Sequence, residues 1–229
     1  MIHQLIFAHA KPGMSEKEFQ DYWINVHAVK YACKIPQIKR YLIDSRIPFG
    51  EEVKEPLFQG CAEIWLENEQ EQLASLQSKE FLAGARLDEP NWAAFWRTVS
   101  LDTNTHVLIE DSLIKQDSTL VKLLILTKRK AGMPLEEFRQ KMLGNHGAKL
   151  QKILGLRRYS QCHVRDSFYA IGESLLDCVS MLWFNSLEAL EEATQSTAYK
   201  EEFTPESATL FDPKYIHTMA TREHWIIGP

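Results

Sequence analysis

A chain of 229 residues that is 45% hydrophobic can bury a substantial core, either as one large domain or as two small ones. Its 31 acidic and 26 basic residues leave a net charge of −5 with no basic run longer than three, so no surface suits a phosphate backbone and nucleic acid is excluded as a partner. No apolar run approaches the roughly 20 residues that cross a bilayer. The four cysteines Cys33, Cys61, Cys162 and Cys178 form no Cys-x-x-Cys pair, and the start Met-Ile-His-Gln lacks a basic leader followed by an apolar run. The expectation is a reduced, cytoplasmic protein with no membrane partner.

The segment from Ile2 to His9 is apolar and β-prone until Lys11-Pro-Gly breaks it, which predicts a first strand. Ser15 before Glu16 and Glu18 reads as an N-cap with acids in the first helical turn. In the helix it opens, Phe19, Trp23, Val26 and Ile24 or Val29 recur at three- and four-residue steps up to about Cys33, and Pro36 stops it. A second strand follows from Ile38 to Ile47, then a polar connection over 48–56 and a third strand from Gly60 to Leu66. Glu69 to Ala85 has high helix propensity, with Leu73, Leu76, Phe81 and Leu82 as the inner face. A helical turn within Asp88 to Arg97 and a fourth strand from Val99 to Ile109 complete the half.

The second half repeats that order. Strands are predicted from Leu120 to Arg129, Leu156 to His163, Leu176 to Phe184 and Tyr215 to Ile227, with helices from Met133 to Leu154 and Leu187 to Phe203. Phe19 and Phe138, Trp23 and Met142, His27 and His146, and Lys30 and Lys149 are each 119 apart; Trp65 and Trp183, Phe81 and Tyr199, and His106 and His224 are each 118 apart. The chain therefore divides into repeats at 1–111 and 120–229 with a polar linker at 112–119. A βαββαβ unit is solved by an antiparallel sheet in the order 4-1-3-2 with both helices on one face. Two such units can bury their bare faces against each other. The predicted fold is α+β, two ferredoxin-like repeats forming an intramolecular pseudo-dimeric α+β barrel.

Lys11-Pro-Gly-Met-Ser, Glu18-Phe-Gln-Asp-Tyr-Trp, Val26-His-Ala and Ile35-Pro-Gln-Ile-Lys-Arg-Tyr together resemble the EthD family of the dimeric α+β barrel superfamily. Residues 11–41 carry the resemblance strongly. In 130–159 Trp becomes Met142, Asp becomes Gln140, and His-Ala becomes His146-Gly147. The resemblance implies a superfamily of isomerases, cofactor-independent monooxygenases, cyclases, dehydratases and decarboxylases, with haem-binding members beside them, and fold alone does not choose among these.

His27 lies one turn past Trp23 at the rim of the buried stripe, where a neutral imidazole can take and return a proton. The same position suits a histidine bonded to a backbone carbonyl at the helix end. Helix one and strand four are expected to end at the same edge of the sheet, bringing His27 toward His106 and His146 toward His224 unless they occupy opposite faces. Tyr22 and Trp23 are placed at the pocket edge and inward, respectively. Tyr41 and Tyr159 end Arg-Tyr steps, where a phenol can donate to a developing enolate oxygen or simply pack on the helix. Trp65 and Trp183 offer flat surface for an aromatic ligand or for the core. No metal-ligand spacing occurs, and a haem would need an axial histidine, for which only His27 or His146 is available.

The expected function is a cofactor-independent tailoring or catabolic enzyme for an aromatic or polyketide-like small molecule. It would act by histidine proton transfer, as in dehydration, isomerisation, cyclisation or decarboxylation, or by cofactor-free oxygenation. The alternative is a non-catalytic small-molecule-binding accessory protein of an oxidoreductase pathway. Association into a homo-oligomer is left open.

Overall fold

The computed structural model describes residues 1–51, 55–110 and 119–228. Nearly all of the expected linker therefore lies outside the described residues. The first repeat supplies strands β1 (Ile2–Ala8), β2 (Ile38–Arg46), β3 (Gly60–Leu66) and β4 (Val99–Ile109). The second supplies β5 (Val121–Arg129), β6 (Arg158–Val164), β7 (Cys178–Phe184) and β8 (Phe211–Ile227). All pairings are antiparallel, and the order β1-β3-β2-β8-β5-β7-β6-β4 closes on itself as an eight-stranded barrel. Within each repeat this is the predicted 4-1-3-2. The joins β2 to β8 and β4 to β6 pair all four edges that two separate sheets would expose.

These joins move two predicted site residues. β4 pairs with β1 only from Val99 to Thr103, and its continuation to Ile109 pairs with β6 of the other repeat. β8 does the same, pairing with β2 from Thr221 to Ile227. The far end of each fourth strand thus belongs to the other repeat's sheet, carrying His106 and His224 with it.

Strand alternation sorts the side chains. Leu5, Phe7, Cys61, Leu101, Leu124, Cys162 and Met181 pack together inside the barrel, while Ile2, Tyr41, Ile43 and Ala62, with Val121, Leu123, Tyr159 and Leu182 in the second repeat, face the helices outside. The bare inner face is apolar at one end only. At the other, the fully buried Lys122 ammonium bonds Asp44 (3.0 Å), Glu223 (2.6 Å) and Glu63, and Glu63 also pairs with His3 Nε2 (2.7 Å). Burial works against each charge, but Lys122 stays protonated because three carboxylates surround it. Those carboxylates converge as a metal site would, with an ammonium in place of the ion.

Ser15 caps α1 (Glu16–Tyr22) through a reciprocal capping box with Glu18. The helix then widens into a π-type turn, Trp23–Ala28. Asn68 caps α2 (Glu69–Gln77), followed by a π-type turn at Phe81–Ala85 and the short α3 (Arg86–Asp88). The second repeat has the same wide turns, Met142–His146 between α4 (Leu135–Lys141) and α5 (Gly147–Leu150), and Ala198–Phe203 between α6 (Leu187–Gln195) and α7 (Thr204–Leu210). A π turn inserts a residue into the helical phase. The expected inner stripe is shifted accordingly: Val29 is exposed, Val26 only half-buried, and His27 is buried beside Phe19, Trp23 and Ala28. The predicted inner face of the second helix is corrected in part: Leu73 and Leu82 are exposed, whereas Phe81 and Leu76 line a cavity above the sheet. No helix among the described residues is long and apolar enough to cross a membrane.

Candidate functional site

The cavity lies between the helices and the outer face of the first repeat's sheet. It has a volume of about 280 Å³, and its walls include Trp23, His27, Tyr41, Ala85, Trp92 and Ala93. Trp23 enters because β3 begins with Gly60, where a Cβ would come within 2.9 Å of both the Trp23 ring and the Asp44 carbonyl. Trp92 packs on Trp23 with ring centroids 4.9 Å apart and on Phe19 at 5.4 Å.

His27 Nδ1 lies 2.9 Å from Asp88 Oδ2 and 3.1 Å from Trp92 Nε1. Nδ1 cannot donate to the carboxylate and accept from the indole at once. The charge-assisted bond is the stronger, so Nδ1 carries the proton and Trp92 contributes its ring face, 4.7 Å from the imidazole. Nε2 then keeps its lone pair, with no partner among the described residues, in a side chain that lines the cavity. Asp88 accepts two further bonds, from the Tyr22 hydroxyl (2.8 Å) and Asn91 Nδ2 (3.0 Å). Its burial favours the neutral acid, but the bonds from Asn91, His27 and Tyr22 outweigh this and hold its carboxyl below the usual range. Burial lowers the His27 pKa despite Asp88. The result is an oriented, neutral imidazole backed by a carboxylate.

Sequence reasoning missed Asp88, whereas Trp92 was expected to offer flat surface for a ligand and does line the cavity. The signal was present, since Asp88 and Glu206 are separated by 118 residues (206−88), the same offset as the tryptophans. In the second repeat His146 Nδ1 does lie near Glu206, but at 3.6 Å, and both atoms lack a hydrogen bond. Phe203 and Phe211 stand at the equivalents of Ala85 and Ala93 and press their rings to 4.9 and 5.3 Å from the His146 ring. Burial, with Lys149 nearby, drives the His146 pKa down to about 4.

The expected histidine pairs do not form. The His106 ring lies tilted 4.8 Å from that of His163, over the second repeat, and His224 Nε2 lies 2.8 Å from Ser45 Oγ, over the first. The fourth strands have carried each across the barrel joint. Glu89 instead lines the His27 cavity, with its carboxyl pKa raised by burial against the pull of Arg86. Tyr22 reaches the site through Asp88, Trp23 and Tyr41 line it directly, and Tyr159 occupies the equivalent buried place in the second repeat, where Gln161 Nε2 donates to its hydroxyl at 2.5 Å. Trp65 and Trp183 lie on the other face of the sheet, inside the barrel, and cannot contact a ligand in this cavity. A haem does not fit at His146, which two phenylalanines seal.

The family model of the EthD domain matches residues 11–95 and again 130–214, well over half of the chain. The chain belongs to the EthD family. Both EthD matches contain the histidine and the carboxylate of their repeat, His27 with Asp88 and His146 with Glu206. Among solved structures, an anthrone oxidase-like protein is similar over 98% of this EthD chain and 92% of its own, with TM-score 0.66 and 13% identity. A Fusobacterium nucleatum protein provisionally assigned as a monooxygenase covers 97% and 92% at TM-score 0.61 and 8% identity. At these identities the likeness is one of fold. No functionally curated protein sequence matches the EthD chain.

Proposed function

We propose that the protein is an enzyme that transfers protons on a small aromatic or polyketide-like molecule held in the first repeat's cavity. The observation that carries this is the 2.9 Å bond from His27 Nδ1 to Asp88, which leaves Nε2 as an oriented base at an apolar cavity. Nε2 takes a proton from a carbon acid or phenol, and Asp88 stabilises the imidazolium that forms. Burial pushes the Tyr41 hydroxyl pKa up, so it stays protonated and can donate to the oxygen on which negative charge develops. Glu89, whose carboxyl pKa burial raises against the pull of its ion pair with Arg86, also lines the cavity and can exchange a proton elsewhere on the substrate. Dehydration, isomerisation, cyclisation and decarboxylation all begin this way. So does cofactor-free oxygenation, in which the substrate carbanion reacts with dioxygen; the anthrone oxidase-like relative makes anthrone a sensible probe for that branch.

A substrate-independent test is base-promoted ring opening of 5-nitrobenzisoxazole, in which a base removes the carbon-bound proton, the N–O bond breaks, and a cyanophenolate is released. The expected result is turnover above the rate in buffer that is lost in His27→Ala. Absence of turnover, with the probe bound in the cavity, would instead support the accessory-protein reading.

A further inference from the structure

We propose that the polar end of the barrel interior is a second binding site, one that takes a small aromatic carboxylate. A cavity of about 150 Å³ lies there, on the opposite face of the sheet from His27, with Arg40, Arg158, Ser160, Trp65, Trp183 and Trp225 in its walls. Three buried side-chain atoms without a hydrogen-bond partner, Arg158 Nε, Ser160 Oγ and Trp225 Nε1, belong to residues lining this one cavity. All three can donate, and Ser160 is only 2% exposed. Buried donors without acceptors are uncommon in folded proteins, and three of them in the walls of one void leave donor capacity that an acceptor seated there would satisfy after a small turn of these side chains.

The charge balance selects an anion. Neither Arg40 nor Arg158 has a carboxylate partner among the described residues, and the Arg158 guanidinium is held over the Trp183 ring, 4.6 Å from its centroid. The carboxylates in the same wall are already engaged: Glu63 by Lys122 and His3, and Glu223 by Lys122 and by Trp183 Nε1 at 2.8 Å. Two guanidiniums and an indole N–H match the two oxygens of a carboxylate. The shape selects a ring. Trp65, stacked on His3 at 4.2 Å and on Trp225 at 6.0 Å, makes this wall aromatic, and a void of about 150 Å³ is the size that accommodates benzene. Arg40 is exposed and marks the mouth.

The test is calorimetric titration of the full chain with benzoate and, separately, with benzyl alcohol, which has similar size and no charge. Benzoate is expected to saturate one site per chain and benzyl alcohol to bind at least tenfold more weakly. Arg40→Gln and Arg158→Gln should each weaken benzoate roughly tenfold or more, Trp225→Phe, which keeps the ring and removes the N–H, by several-fold, and His27→Ala not at all. Arg40 is exposed, so Arg40→Gln keeps the test decisive even if a buried variant fails to fold. No benzoate binding, equal affinity for the neutral analogue, affinity unchanged in Arg40→Gln, or loss in His27→Ala would each overturn the proposal.

Discussion

The histidine of the first repeat faces a cavity, whereas its counterpart in the other repeat faces two phenylalanine rings, although both lie in the same kind of wide helical turn and both have a carboxylate nearby, Asp88 and Glu206. The decisive difference is side-chain volume at two positions, Ala85 against Phe203 and Ala93 against Phe211. In the first repeat the small side chains leave a cavity, which Leu76 of α2 helps to line, and Asp88 lies 2.9 Å from His27. In the second the rings fill the space, α6 buries Leu190 and Ala193, and the histidine–carboxylate gap is 3.6 Å. A histidine–carboxylate pair thus becomes a candidate site only together with the room beside it. One repeat has the room, and the other contributes its sheet and its core.

The sharpest way to break this comparison is to exchange volumes. Phe203→Ala should lower stability by about 3–5 kcal/mol, the usual result of deleting a buried ring, read by denaturant unfolding; Ala85→Phe should close the first cavity and remove probe turnover. The buried histidine of the second repeat should also show itself in pH dependence. His146 titrates near 4 when folded and at about 6.5 when unfolded, so between these values the unfolded chain binds the extra proton. Its contribution is fully present above about pH 6.5 and is lost as pH falls toward 4, roughly 3 kcal/mol in all. His163, lowered to about 3 mainly by burial, acts in the same sense, whereas His3, raised to about 9 by Cys162 and Glu63 against burial, contributes below about 6.5 and loses its effect as pH rises through 9. Stability profiles of wild type and His146→Leu separate the terms, since only the variant should lose the His146 part of the acid slope.

Smaller effects should be confined to the first repeat. Asp88→Asn leaves the shape intact but removes the charge that fixes the His27 tautomer, and should lower probe turnover by about 10²-fold, or nearly 3 kcal/mol. Its counterpart Glu206→Gln should leave turnover unchanged. Tyr22→Phe removes one of three bonds to Asp88 and should cost only about 1 kcal/mol, a several-fold loss, in kcat/KM.

The barrel was legible because its signals are local or periodic: the Ser15 cap, the strand alternation, and offsets of 118 and 119 that set the second half in register. The 4-1-3-2 rule then fixed strand neighbours within each repeat. It treats a repeat as isolated, however, and so put His106 beside His27 when the 11-residue β4 runs past the 7-residue β1 onto the other sheet. His27 itself could be read, but its burial could not, because an ideal helical wheel has no place for the π turn. Asp88 lies 61 residues from His27 along the chain and meets it only through the fold. For Trp65 and Trp183, strand parity held the answer, since both share a face with residues of the barrel interior such as Glu63 and Met181.

The central claim, that one repeat holds the working base, is tested most directly by following 5-nitrobenzisoxazole turnover in His27→Ala and His146→Ala side by side. A loss of about 10²-fold or more is expected in the first variant, and a rate within twofold of wild type in folded His146→Ala. Wild-type turnover in His27→Ala, or an equal loss in both folded variants, would contradict it.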